Sequence, residues 1–223
     1  MSTRQVWEKH WHGMNRRFSM FGTVATLVRT QGFSRAVEQY LGPTLQPGGV
    51  FLEAGCGTSE SSCRLHRGDH TLIGVDFSSR ALRRAKAISV LDDFVQADIF
   101  QLPMRSGSID GIWNLGVMEH FDGRDSHRIL LEFHRVLRPG GRIVLFWPPT
   151  FGLSRWVLAP FEKTIGAWRR QRFQFFPDEV NRLGSKRAGR QAVAAAGFTP
   201  ITVDFSLLAC LCHLVVVASK PTP

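Results

Sequence analysis

Glu53 closes a short apolar run, Val50-Phe51-Leu52, and stands two residues ahead of Gly55-Cys56-Gly57. Glycines at 55 and 57 remove Cβ atoms where backbone must bend sharply or lie against a ligand, and free N–H groups of a following helix would face the same space. A dinucleotide site wants G-x-G-x-x-G, but the sixth position here is Glu60, which would set a carboxylate against a pyrophosphate. An acid at 53 suits a ligand with a positive amine instead. Asp76 ends a second apolar run, Thr71-Leu72-Ile73-Gly74-Val75, and a carboxylate at a strand tip can hold both hydroxyls of a ribose. Further on, Glu119 and His120 are the best acid–base candidates in the chain. A base of that kind contributes about 10² to 10⁴ in rate when an acceptor must lose a proton. His134 sits on a helix face, which marks it as structural, whereas His10 and His12 reach an acceptor only if the N-terminal helix folds over the site and otherwise fall on a solvated face. The four cysteines, Cys56, Cys63, Cys210 and Cys212, show neither metal-site nor disulfide-framework spacing, so no metal is expected.

Five stretches in this order resemble the class I S-adenosylmethionine-dependent methyltransferases. They are Glu53-x-Gly55-x-Gly57 after a strand, Gly74-Val75-Asp76-Phe77-Ser78, Gln96-Ala97-Asp98, Leu115-Gly116-Val117-Met118-Glu119-His120-Phe121, and Leu137-Arg138-Pro139-Gly140-Gly141. The last two are similar to the subgroup that methylates small molecules. The resemblance spans roughly residues 46 to 147. It implies S-adenosyl-L-methionine as cofactor, with Glu53, Gly55, Cys56, Gly57, Asp76, Phe77, Asp98, Ile99, Asn114 and Leu115 binding it. It gives Asp98 the adenine amino group and has Ile99 press on the ring. It makes Glu119 and His120 catalytic candidates, although in such enzymes this pair also holds the loop or lines the cofactor. The family pattern often has a third glycine where this chain has Ser59, whose hydroxyl can cap the next helix but takes up room. Cys56 falls where the family tolerates small residues, which reads as a packed thiol. Methyl transfer from a sulfonium releases a neutral leaving group, so catalysis rests on alignment and water exclusion, effects worth about 7 to 11 kcal/mol.

The elements that must carry these residues alternate. Strands are expected at Val50–Leu52, Thr71–Val75, Phe94–Gln96, Ile109–Trp113 and Ile143–Phe146, with helices between them: Glu60–Leu65, a basic one bearing Arg80, Arg83, Arg84 and Lys86, and one carrying His127, Leu130, Leu131, Phe133, His134 and Leu137 that stops before Pro139-Gly140-Gly141. Residues 187–197 read as a helix ending in Gly197, and 200–219 as two closing strands. The fold class is α/β: a doubly wound, mostly parallel seven-stranded sheet, Rossmann-like as the resemblance implies, with an antiparallel last strand and ligands at the strands' carboxyl ends. One domain covers 1–223, divided into N-terminal helices or lid (1–48), cofactor-binding core (49–147), acceptor-side insertion (148–190) and closing helix and strands (191–223). Before the core, Trp7, Trp11, Met14 and Phe18 form a helical stripe, and a second helix runs from Phe21 to about Leu41 with an interruption at Gly32.

Charge placement separates the parts. The chain carries +10 overall, yet residues 49–147 hold 12 Lys/Arg against 12 Asp/Glu, whereas 148–190 hold 9 against 3 and 1–48 hold 6 against 2. The excess therefore falls where an acceptor site would be built. Residues 148–190 also hold Phe151, Trp156, Phe161, Trp168, Phe173, Phe175 and Phe176, with Leu158, Phe161, Ile165 and Trp168 on one helical face. Aromatics supply an apolar pocket and arginines recognise carboxylate or phosphate. The first expectation is thus methyl transfer to a small acceptor, apolar or anionic. A lipid or quinone-like acceptor on an anionic membrane surface ranks second, RNA third, and a scaffold that keeps the fold without catalysis last. Asn114 is followed by Leu115-Gly116, not by the Pro-Pro-Tyr of enzymes that methylate nucleobase amino groups. The apolar stretch Leu207–Ala218 is shorter than the roughly 20 residues a membrane span needs, and the first dozen residues lack a signal-peptide core. A cytoplasmic protein, peripheral to a membrane under the second reading, is expected; the oligomeric state stays open.

Overall fold

A computed structural model of the chain describes residues 6–8, 26–65, 68–88, 90–151, 179–206 and 213–223. Its centre is a sheet of seven strands: β1 (Gly49–Ala54), β2 (His70–Asp76), β3 (Asp93–Gln96), β4 (Ile109–Leu115), β5 (Leu137–Trp147), β6 (Thr199–Phe205) and β7 (Leu214–Ser219). Their order is β3-β2-β1-β4-β5-β7-β6. The first five strands are mutually parallel, and β7 runs antiparallel to both its neighbours. The expected doubly wound sheet with its antiparallel last strand is present. The strand order reverses between β1 and β4, and at such a switch point a crevice opens outside the carboxyl ends of the strands.

A sheet of this kind is covered on both faces, so its strands read as continuous apolar runs. Alternate residues go to opposite layers. Leu52, Ile112, Ile143 and Leu145 pack with Ile129, Leu130 and Phe133 of α3 (Gly123–Val136) and Val193 of α4 (Lys186–Ala195). Phe51, Trp113, Val144 and Phe146 pack with Ala36, Val37 and Leu41 of α1 (Ser34–Leu41). Between β2 and β3 lies α2 (Ser79–Ile88), which buries Ala81, Leu82 and Ala85 and leaves Arg83 and Lys86 exposed. Asp122 caps α3 by accepting from the Asp125 N–H, and Ser185 caps α4 by accepting from that of Ala188; each such cap is worth about 1 kcal/mol.

Four local expectations need correction. The stretch from Glu60 is a single 3₁₀ turn, Glu60–Ser62, and not a helix to Leu65. Its serines are engaged sideways: Trp113 Nε1 donates to Ser62 Oγ at 3.2 Å and Ser61 Oγ donates to Glu53 at 3.5 Å, bonds that compete with helix propagation. Gly32 does not interrupt its helix but sits in a π-helical turn, Val28–Phe33, that runs straight into α1. Leu131 is 47% exposed, since the buried stripe of α3 is Ile129, Leu130, Phe133 and Val136. Finally, β5 begins at Leu137, with Pro139-Gly140-Gly141 inside the strand. There Gly140 N–H donates to Lys220 O, Lys220 N–H donates to Gly141 O, and Lys220 Nζ donates to the carbonyls of His134 and Leu137 at the end of α3.

Trp11, Met14, Phe18, Cys210, Cys212 and the aromatic face at 158–168 lie outside the described residues. Among the described residues no helix is long and apolar enough to cross a membrane.

Candidate active site

The turn after β1 is built on left-handed glycines, Gly55 at φ +71° and Gly57 at φ +53°. Gly55 and Cys56 both donate N–H to Val75 O, at 2.8 and 2.9 Å, which folds the turn over the end of β2. Asp76 then closes it: Oδ2 accepts from Gly57 N–H at 2.9 Å and Oδ1 from Ser78 N–H at 2.8 Å. Burial raises the Asp76 pKa and these two bonds oppose the shift. The Cys56 thiol is pushed well up by burial, with Glu53 and Asp76 adding to it. A thiol so held is a packing group and not a nucleophile.

Glu53 is buried, and its carboxylate accepts from Ser59 Oγ at 2.5 Å and from Ser61 Oγ at 3.5 Å. Burial raises its pKa to about 7, against the serine bonds that pull it down. Ser59 is the residue that replaces the third glycine, and among the described residues it alone has a left-handed φ without being glycine, at 55°. Its hydroxyl caps nothing, contrary to expectation, because it is committed to Glu53. These two hydroxyls are what the Glu53 carboxylate holds in the structure.

Glu53, Asp76 and Asp98 nevertheless belong to one edge. Ala54 is in register with Val75, and Asp76 with Gln96, so the three acids stand at or just past the carboxyl ends of adjacent β1, β2 and β3. Asp98 is exposed, with Oδ1 accepting from Phe100 N–H at 3.0 Å, and Ile99 beside it is buried. Phe77 is half-buried, its carbonyl accepting from Gln96 Nε2. At the tip of β4, Asn114 is fully buried with neither amide atom hydrogen-bonded among the described residues, and Leu115 is half-buried.

Glu119 and His120 occupy a 3₁₀ turn, Met118–His120, after β4. Both are buried, with His120 Nε2 3.9 Å from Glu119 Oε1, and Glu119 Oε2 has no hydrogen-bond partner among the described residues. Burial lifts the Glu119 pKa to about 8; Glu179 adds to the shift and Arg182 opposes it. The Trp7 indole stands edge-on to His120 at 4.9 Å, so a described piece of the N-terminal stripe reaches this pair. His134 packs edge-on against Phe198 at 5.1 Å, the structural role its helix position implied.

Several residues at this place carry no sequence signal. Val180 and Asn181 donate N–H to Glu119 O at 2.8 and 3.0 Å, Trp147 Nε1 donates to Asn181 O at 2.8 Å, and Asn181 Nδ2 donates to Ser126 Oγ at 2.9 Å. Residues 179–183 thereby clasp the turn bearing Glu119 to β5 and α3. Arg182 pairs with Glu179 at 2.6 Å and donates to Pro149 O at 3.3 Å. Only the basic excess of 148–190 hinted at this segment; the bonds themselves depend on tertiary placement.

The arrangement fits S-adenosylmethionine. Asp76 offers an acid to a ribose, the glycine turn offers bare backbone, and Asn114 offers an unsatisfied donor and an unsatisfied acceptor, the complement of an amino-acid zwitterion. Among the described residues no group of three or more metal-ligating side chains converges.

Known proteins agree with this geometry. A family model described as a methyltransferase domain matches residues 52–145. The malonyl-[acyl-carrier protein] O-methyltransferase of Erwinia pyrifoliae is 30% identical over 162 residues, 72% of this chain and 58% of that protein. The demethylmenaquinone methyltransferase of Thermus thermophilus is 30% identical over 141 residues, 57% of this chain and 63% of that one. The chain thus spans about three fifths of the length of these two relatives. In fold, the magnesium protoporphyrin IX methyltransferase of Synechocystis superposes with a TM-score of 0.66 at 14% identity, covering 99% of this chain and 98% of that one. With the sheet order, the glycine turn and the matched model in agreement, residues 52–145 form a methyltransferase domain with the class I, S-adenosylmethionine-dependent fold.

Proposed function

We propose that this protein transfers the methyl group of S-adenosylmethionine to a small acceptor with an apolar body, bound on the side of residues 148–190. The observation that carries this reading is the contact between two turns. Val117, next to the turn that bears Glu119 and His120, abuts Gly55 in the turn that would hold the cofactor, which supports a site shared by the acid–base candidates and the cofactor.

In this reading Asp76 holds the ribose, Asp98 and Ile99 the adenine, Asn114 the amino-acid end, and Gly55, Cys56, Gly57, Phe77 and Leu115 line the nucleoside. Glu53 keeps the turn in shape through Ser59 and Ser61. Glu119 and His120 face the acceptor, and Trp7 shields His120 from water. Exclusion of water strengthens every polar contact left inside. The two relatives named above act, by their names, on a carrier-bound acid and on a quinone precursor, which supports an acceptor with an apolar portion.

Calorimetry with S-adenosylhomocysteine tests the cofactor half: wild type should bind, and Asp76→Ala should weaken binding about 10- to 100-fold, the worth of charge-assisted hydrogen bonds. No binding by the wild type would remove the reading. A second reading places the acceptor in a membrane, favoured by nine basic residues among seven aromatics in 148–190. Co-sedimentation with anionic but not neutral vesicles would select it.

A further inference from the structure

Buried polar atoms in a folded chain almost always find partners, so exceptions point to something missing. Among the described residues these exceptions include both amide atoms of Asn114, Oε2 of Glu119 and Nδ1 of His213. In the methyl-transfer reading Asn114 serves the cofactor. Glu119 and His213 are far apart in sequence but neighbours of one guanidinium: the charge of Arg182 pulls down the pKa of each.

The topology brings both to one edge of the sheet. Glu119 follows β4, and His213 immediately precedes β7, whose first residue Leu214 is in register with Trp147 at the carboxyl end of β5. Because β7 is antiparallel, its beginning lies at the same edge of the sheet as the ends of β4 and β5. Arg182 comes to that edge on the clasp that binds Glu119 O. Aromatic edges surround the group, with Phe33 at 5.1 Å from His213 and Trp7 at 4.9 Å from His120.

The hydrogen-bonding capacity left over is mainly that of donors, since the Glu179 carboxylate is taken up by Arg182 at 2.6 Å. Burial raises the Glu119 pKa to about 8, so the buried carboxyl keeps its proton at neutral pH and presents an O–H. Burial and Arg182 lower the His213 pKa to about 4, so the imidazole is neutral and can present N–H at Nδ1. Arg182 has further N–H groups beyond those on Glu179 and Pro149. These donors stand at one edge of the sheet, and what complements them is a group rich in lone pairs.

We propose that Glu119, His213 and Arg182 form the acceptor subsite, that its ligand is a carboxylate joined to an apolar body, and that His213 touches that carboxylate. This rests on the methyl-transfer reading above. Methyl transfer to it balances without a base: an oxygen lone pair forms O–CH₃, the C–S pair returns to sulfur, and carboxylate plus sulfonium become neutral ester plus neutral thioether. Glu119 then serves as a donor and not as a proton abstractor.

The test uses full-length protein labelled with ¹⁵N-histidine, the His213 signal being assigned by its loss in His213→Phe, which keeps a ring against Phe33. Malonate, benzoate and octanoate are titrated, each beside its neutral amide, with and without S-adenosylhomocysteine. At least one carboxylate should move the His213 Nδ1 resonance and bind about tenfold more tightly than its amide, the worth of one charge-assisted bond. Arg182→Gln should abolish that preference. If no carboxylate moves the resonance, or amides bind equally well, the subsite is refuted. S-Adenosylhomocysteine binding with an unmoved His213 refutes the subsite alone, whereas a His213 response without cofactor binding keeps the subsite and removes the methyl-transfer reading.

Discussion

Gly55 and Val117 approach so closely that a Cβ on the glycine would lie 2.7 Å from Val117 Cγ2. The turns after β1 and β4 are therefore pressed together where the strand order reverses. Gly55→Ala adds both this clash and a side chain at φ +71°, and should cost about 1 to 3 kcal/mol. Val117→Ala in that background should return the clash but not the dihedral cost. Urea unfolding measures both; simple additivity of the two substitutions would show that the turns do not touch.

Ser59 combines a glycine-like backbone with a bond to Glu53, and two replacements separate the contributions. Ser59→Ala keeps the strained φ and loses the hydroxyl, whereas Ser59→Gly loses the hydroxyl but relieves the strain. Stability should fall in the order wild type, Ser59→Gly, Ser59→Ala, with about 1 kcal/mol between the variants. Equal stability of the two variants would mean that the dihedral is not a cost here.

Glu119 gives a pH signature of definite sign. Its folded pKa is raised from the usual 4.5 to about 8, so across that window the folded state keeps a proton that the unfolded chain has released. The group contributes no penalty below the lower value, and stability falls as pH rises through the window. Glu119→Gln cannot ionise and should gain about 1 to 3 kcal/mol over wild type at pH 8 relative to pH 5. Glu53 shifts in the same direction and His213 in the opposite one, but both are common to the two proteins and cancel in the difference. Thermal melts across pH decide it, and a constant difference would refute the buried, protonated acid.

Asn181 and Ser126 join the clasp to α3 through a 2.9 Å bond. A double-mutant cycle with Asn181→Ala and Ser126→Ala should give a coupling of about 0.5 to 3 kcal/mol. The His120 imidazole resonance should move with Asn181→Ala, because the turn that carries His120 hangs from the same residues. A zero coupling with an unmoved resonance would leave the clasp without influence on the site.

The cofactor half was legible in the sequence because its signals are local. Gly55, Gly57 and Asp76 act through the backbone geometry of a strand and the turn after it, and alternating apolar runs announce the strands themselves. The 3₁₀ turn at Glu60–Ser62 was not legible, since its length is decided by Glu53 and Trp113, which reach it from other strands. The early start of β5 was hidden for the same reason: Pro139-Gly140-Gly141 reads as a turn until Lys220 pairs with it. Arg182 and His213 show the limit most clearly. Neither belongs to a motif, and only the antiparallel return of β7 brings His213 to the edge where Glu119 stands.

β7 has one more consequence, for the chain during its synthesis. It is an interior strand, flanked by β5 and β6, yet it follows every other strand in sequence. Until Leu214–Ser219 leave the ribosome, β5 and β6 have no common neighbour, and β5 shows an unpaired row of peptide groups of the sort that recruits foreign strands. The last turn of α3 likewise waits for the ammonium of Lys220. The half of the sheet around β5 must therefore assemble late, and translational stalling before Leu214 would release a nascent chain with an adhesive flank.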